Sequence, residues 1–350
     1  MRQIFLIICI LVSGALSKSQ SVIFLHHSTG AGVYTEGNVA AWIANYNTAN
    51  STNYLITERA YPDTPYPWDN YPYDYWNLWI NNQCSSSNIN IQCLGNIVQS
   101  YDVVVFKHCF PGAAIVADDG NPSVSSAVKT LANYKLQYRA LRALMDQYPQ
   151  KKFIVWTLAP LHRLDTSTEN AGRAREFVNW VKTSWLTEDG KSHPNIYIFD
   201  FFGLVAELSA SPVDGKVNCL KYTYEKSHTD SDSHPNLLAN QTVGPLFAQF
   251  IVNTIKNQST GITSLKDDPM KIIVFPNPAR EVLVMDFSEM KNPVKSVTIF
   301  NLKGQNMLYR QVNGESNIQI STESFPSGTY LAKVNTEWES HTLRFTVLAQ

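Results

Sequence analysis

Through the first two thirds of the chain, short β-branched runs alternate with stretches whose apolar residues recur every three or four positions. That alternation predicts a parallel sheet covered by helices on both faces. The expected strands are Val22 to His26, Tyr54 to Glu58, Val103 to Lys107, Phe153 to Leu158 and Ile196 to Asp200. A helix from Ala127 to Tyr148 places Leu131, Tyr134, Tyr138, Leu141 and Met145 on one face, and a second from Ala171 to Leu186 carries Phe177, Val178, Val181 and Trp185. A last helix runs from Pro235 to about Ile255.

Around Asn257 to Asp268 the text becomes polar and loses all period, which marks a linker. Beyond it only short strands and turns follow: Ile272 to Phe275, Val282 to Phe287, Val297 to Asn301, Ile318 to Ile320, Thr329 to Val334 and Thr342 to Val347. This is the pattern of a small β-sandwich, with Gly304 and Gly328 suited to turns that need positive φ. The expected organisation is a signal peptide over 1–19, an α/β domain over 20–257, a linker over 258–270 and an all-β domain over 271–350.

The signal is read from Met1-Arg2-Gln3, the apolar run Ile4 to Val12 and the small and polar residues Ser13 to Ser19, with cleavage expected after Ser17 or Ser19. The run is too short to span a bilayer, so no transmembrane segment is expected after cleavage. Lys+Arg of 28 against Asp+Glu of 29 leaves no field to hold nucleic acid or an anionic membrane. Export sets the redox context: Cys9 leaves with the signal, and Cys84 and Cys93 flank a polar loop that a disulfide between them would staple. A bridge between Cys109 and Cys219 is the further possibility.

The candidate chemistry lies at the two ends of the α/β domain. The first strand runs directly into Ser28-Thr29-Gly30, placing a serine at the carboxyl end of a parallel strand, where open α/β sheets bind ligands. Far downstream, Asp230-Ser231-Asp232-Ser233-His234-Pro235-Asn236 sets carboxylates beside a histidine in a loop. Such a pair can orient an imidazole and stabilise its protonated form while it takes a proton from a serine. The plainer alternatives are a turn and helix cap at Ser28 and a helix-capping loop at Asp232 and Ser233.

With both ends in view, residues 20–257 resemble the SGNH hydrolases, the GDSL-type esterases and lipases, in which the nucleophile follows the first strand and a late loop reads D-x-x-H-P-N. The resemblance implies a flavodoxin-like three-layer α/β/α domain with a five-stranded parallel sheet, Ser28 as nucleophile and His234 as base. The Gly-Asp-Ser of the family is here His26-His27-Ser28, and counting D-x-x-H back from His234 lands on Ser231, so Asp232, or else Asp230, supplies the carboxylate. The family's oxyanion Gly and Asn are also missing after the second and third strands. Lys107, His108 or backbone amides near Gly112 are the expected substitutes, with Thr29 beside the nucleophile.

The tail motifs FPNPA (Phe275 to Ala279), VTIFNLKGQ (Val297 to Gln305), FPSGTYLAKV (Phe325 to Val334) and the closing HTLRFTVL resemble the type IX secretion sorting domain. This resemblance implies export through the periplasm to the outside or the cell surface, with the secretion machinery as partner. A carbohydrate-binding module is the rival, opposed by a single tail tryptophan, Trp338.

No cofactor is expected, and no obligatory metal, because no His, Cys or Asp pair has the spacing of a zinc motif. Cys109 beside His108 is a poor nucleophile candidate, since adjacent residues on an extended chain point to opposite faces. The aromatic segment Tyr61 to Trp79 is expected either to wall a pocket, with Trp68, Tyr71, Tyr73, Trp76 and Trp79 stacking on sugars, or to pack on its own rings. The reading is an exported serine hydrolase of esters, including acylated carbohydrate as a substrate class. The alternatives are a non-enzymatic carbohydrate-binding or surface protein on a degenerate hydrolase scaffold, and an acyltransferase.

Overall fold

A computed structural model describes residues 19–67, 70–209, 211–257, 272–288, 290, 292–302, 304–336 and 340–348. The signal peptide, the linker, Trp68 and Trp338 lie outside the described residues.

In chain order the first domain comprises β1 (Gln20–His26), α1 (Ser28–Glu36), α2 (Val39–Asn50), β2 (Tyr54–Ala60), α3 (Pro72–Trp79), α4 (Leu94–Ser100), β3 (Val103–Phe106), α5 (Leu131–Met145), β4 (Lys152–Trp156), α6 (Thr168–Thr183), β5 (Ile196–Phe199), α7 (Phe201–Val205) and α8 (Leu237–Ile255). The five strands form one parallel sheet in the order β2-β1-β3-β4-β5, with Val22 of β1 paired to Ile56 on one side and Val103 on the other. Strand order reverses at β1, so the crevice beyond its carboxyl end lies at a topological switch point.

Side chains alternate across each strand, and in the central strands β1, β3 and β4 both faces are dry. Val22 and Phe24 pack with Val33, Ile43 and Phe247 of α1, α2 and α8, while Ile23 and Leu25 join Tyr75, Tyr138 and Phe177 of α3, α5 and α6. That double burial is why the strands read as unbroken apolar runs.

The long helices end where side chains cap them. Thr130 Oγ1 accepts the Asn133 N–H and Ser167 Oγ that of Asn170, so α5 and α6 begin a few residues away from the periodicity-based limits. Five helices are not apparent from periodicity: α1, α2, α3, α4 and the short α7. In α1 the sequence STGAGVYTE is rich in glycine and poor in apolar period, and it reads as a turn. Its glycines permit close packing instead: a Cβ on Gly244 of α8 would lie 2.3 Å from Gly37 O, so the backbones of α8 and the α1 terminus touch directly. In α3, Pro72 opens the helix and Asp74 accepts the Tyr71 N–H.

The cysteines divide. Cys84 and Cys93 form a disulfide, whereas Cys109 and Cys219 are free and buried, which corrects the idea of a second bridge.

The C-terminal domain consists of β6 (Ile273–Phe275), β7 (Val282–Asp286), β8 (Ser296–Asn301), β9 (Asn306–Gln311), β10 (Asn317–Ser321), β11 (Gly328–Asn335) and β12 (Ser340–Val347). They form antiparallel sheets β10-β7-β6 and β12-β11-β8-β9 around a core that includes Leu283, Ile299, Ile320 and Phe345. Gly304 and Gly328 have φ of 75° and 157°. Strand β9, half-exposed and polar at its ends, is the one strand of this domain absent from the sequence expectation.

Candidate active site

β1 ends at His26, His27 takes the extended conformation of a helix N-cap, and Ser28 is the first residue of α1. The chain thus turns from strand to helix at Ser28 and leaves it exposed on the rim. The N–H groups of a helix's first turn have no acceptor within the helix, so those of Ser28 and Thr29 are not used by intrahelical bonds and lie at the positive end of the helix dipole. Below, burial holds His26 neutral, with its pKa pushed down to about 3, and its Nε2 lies 2.8 Å from Glu58 Oε2. His27 is also shifted down by burial and rests its Nε2 against Pro62 O at 2.5 Å.

The partner histidine arrives from the other end of the domain. His234 Nε2 lies 2.7 Å from Ser28 Oγ, and its Nδ1 is hydrogen-bonded to Asp232 Oδ1. Asp232 also accepts the His234 backbone N–H at 3.0 Å. Desolvation is the largest influence on Asp232 and raises its pKa; the hydrogen bonds from His234 and the charges of His234 and Lys226 together outweigh it and hold the carboxyl below its usual range. The Phe110 ring meets the imidazole edge-on at 4.8 Å between centroids.

The loop bearing this pair is anchored on all sides. Asn236 caps α8 by accepting the Ala239 N–H, and its amide donates to Thr223 O and Glu225 O. Ser233 Oγ accepts the His162 N–H at 2.8 Å. The buried Glu225 carboxylate lies 3.1 Å from His162 Nε2, 3.0 Å from Arg163 Nε and 2.8 Å from His228 Nδ1.

The structure brings together Ser28, Asp232 and His234, with Thr29 beside them; Asp230 stays exposed on the loop. It removes Lys107 and His108 from the crevice. β3 ends at Phe106 and both following side chains turn inward, each 0% exposed. Lys107 Nζ is 3.8 Å from Cys109 Sγ, with burial lowering its pKa, and His108 Nε2 meets Tyr138 OH at 2.9 Å. Burial takes His108 down to about 3, so it is a neutral core residue. Tyr71, Trp76 and Trp79 are likewise core residues packed on one another's neighbours, so the sugar-stacking expectation fails for them. Among the described residues, no three His, Cys, Asp or Glu side chains are grouped as a metal would require.

A cavity of about 350 Å³ opens from Ser28 and His234 along α1 to Glu36 and Asn240. Neither Glu36 nor Asn240 was a sequence candidate. The available signal was their spacing: Ser28, Gly32 and Glu36 lie four residues apart on one helical face, but only once α1 is known to be a helix.

The family described as "Secretion system C-terminal sorting domain" matches residues 273–348. The tail is such a domain, and the protein is secreted or displayed at the cell surface. No curated protein matches the chain in sequence. Among solved structures, an immunoglobulin-like β-sandwich of a DUF3244 family protein from Bacteroides vulgatus is 21% identical over 23% of this chain and 86% of its own, with a TM-score of 0.20. A carbohydrate esterase described as having divergent catalytic and non-catalytic binding functions is 13% identical over 68% of this chain and 70% of its own, with a TM-score of 0.31. A gut microbial diltiazem-metabolizing enzyme is 8% identical over 86% of this chain and 72% of its own, at 0.33. With scores this low, the reaction class has to come from this chain's own side chains.

Proposed function

We propose that the exported α/β domain is a serine hydrolase of ester bonds. The observation that carries this reading is the unbroken line Ser28 Oγ, His234 Nε2, His234 Nδ1, Asp232 Oδ1, its first link 2.7 Å long. Ser28 Oγ attacks the acyl carbon as its proton passes to His234 Nε2. Asp232 fixes the tautomer that leaves Nε2 free and stabilises the imidazolium that forms. The negative oxygen of the tetrahedral intermediate is met by the Ser28 N–H at the start of α1, with the helix dipole aligned behind it. Collapse breaks the ester C–O bond, and His234 returns the proton to the departing alcohol. Water, deprotonated by His234, then splits the acyl-enzyme and releases the acid.

The resemblance of the serine and His-Pro-Asn segments to SGNH hydrolases supports the same assignment. In this reading the carboxylate comes from two residues before the histidine, and the Ser28 N–H at the start of α1 is the oxyanion donor retained from that family's set.

The full mature chain should label with a fluorophosphonate probe and hydrolyse aryl acetates, and Ser28→Ala and His234→Ala should each abolish both. A folded wild-type protein that neither labels nor cleaves any short-chain ester would sink the reading.

A further inference from the structure

The cavity beside Ser28 is built for a particular kind of group. Ser28, Gly32 and Glu36 follow one another along a single face of α1, so Glu36 stands about 12 Å from Ser28 along the helix axis at 1.5 Å per residue. Gly32 lets the Asn240 amide pack closely against α1 between them; a Cβ there would lie 2.7 Å from Asn240 Nδ2. The result is a trough with the reacting pair at one end and a carboxylate at the other.

That carboxylate is held in place. Asn240, only 4% exposed, donates from Nδ2 to Glu36 Oε2 at 2.7 Å and to Pro235 O at 3.4 Å. Two acceptors fix the amide orientation, because the flipped amide would set its oxygen against both. Its Oδ1, and the Thr29 Oγ1 nearer the serine, are buried in the trough wall without a hydrogen-bond partner in the protein. The Glu36 carboxylate accepts, while the Thr29 and Ser28 hydroxyls can both donate and accept, a set that suits a ligand rich in hydroxyl groups. Charge narrows the choice. Glu36 disfavours an anion, and on the opposite bank Lys226, whose ammonium lies 3.4 Å from Asp232 Oδ2, disfavours a cation.

We propose that this trough is the subsite for the alcohol half of the ester, and that the alcohol is a neutral oligosaccharide. Glu36 reads a hydroxyl at least one sugar unit away from the acylated position, and Asn240 is its positioning residue. The word alcohol rests on the Ser28 reading above; the recognition of a neutral sugar chain does not.

The test is calorimetric titration of the full mature chain carrying Ser28→Ala with xylotetraose, mannotetraose and cellotetraose, against tetragalacturonate and a glucosamine tetramer as charged comparisons. At least one neutral tetraose should bind, and Glu36→Ala should weaken it tenfold or more. Asn240→Ala should weaken binding in the presence of Glu36 and add nothing to Glu36→Ala, a coupling that a general loss of structure would not produce. Failure of every neutral tetraose, preference for a charged one, or unchanged affinity in Glu36→Ala overturns the proposal. Fluorophosphonate labelling of the wild type separates the two readings. Labelling without sugar binding sinks the subsite alone, whereas Glu36-dependent sugar binding without labelling leaves the subsite standing and removes the hydrolase.

Discussion

At the scale of single residues, the site depends on how each polar side chain is partnered. Asp232 holds His234 by its Nδ1, so Asp232→Asn should lower kcat by about 10³–10⁴-fold with little change in KM, measured with an aryl acetate. Two other histidines act on stability instead. His26 and His108 are held near a pKa of about 3, below the ordinary 6.5, so between those values the unfolded chain binds more protons than the folded one. Stability is fully present above about pH 6.5 and falls as pH drops toward 3, each histidine contributing up to about tenfold in the folding equilibrium per pH unit. Urea titrations at pH 7 and pH 4.5 should show that fall, and His108→Phe should reduce the slope by one proton. Ser28 and His234 were legible because a strand end and a His-Pro-Asn segment restrict where their side chains go. Lys107 and His108 were misread because adjacency to a strand end does not say whether the chain then rises to the rim or turns under it. Only the packing of His108 on Tyr138 decides that.

At the scale of elements, the site is a product of how α1 meets α8. Gly37 and Gly244 let the two backbones touch, which brings the start of α1 beside the loop that precedes α8. Gly244→Ala forces them apart and should cost about 1–3 kcal/mol by chemical denaturation while lengthening the Ser28–His234 contact and lowering turnover. Gly172 in α6 is the contrast: a Cβ there meets nothing within 4 Å, so Gly172→Ala should stabilise by about 1 kcal/mol with unchanged activity. The sheet was readable because β-branched runs, buried on both faces in the central strands, have few other fates; edge strand β2 is a partly exposed exception. The α1 helix was not, because the glycines that allow its close packing are the residues that make it look like a turn, and the trough beside it stayed hidden with it.

At the scale of the whole molecule, the sandwich of β6 to β12 gives the exported domain its address. Deleting residues 273–348 should leave the α/β domain inside the cell envelope, and fractionation of cells and medium checks this. The tail was legible almost throughout, since alternating strands and Gly or Pro turns leave a strong imprint; its polar strand β9 escaped because edge exposure weakens that alternation. The Ser28–His234 contact joins positions 206 residues apart, contributed by the start of the first helix and the loop before the last helix of the α/β domain. A ribosome-bound chain must therefore extend past α8 before Ser28 can meet His234. Shorter nascent fragments lack His234 or the helix that anchors its loop, so they cannot assemble the pair.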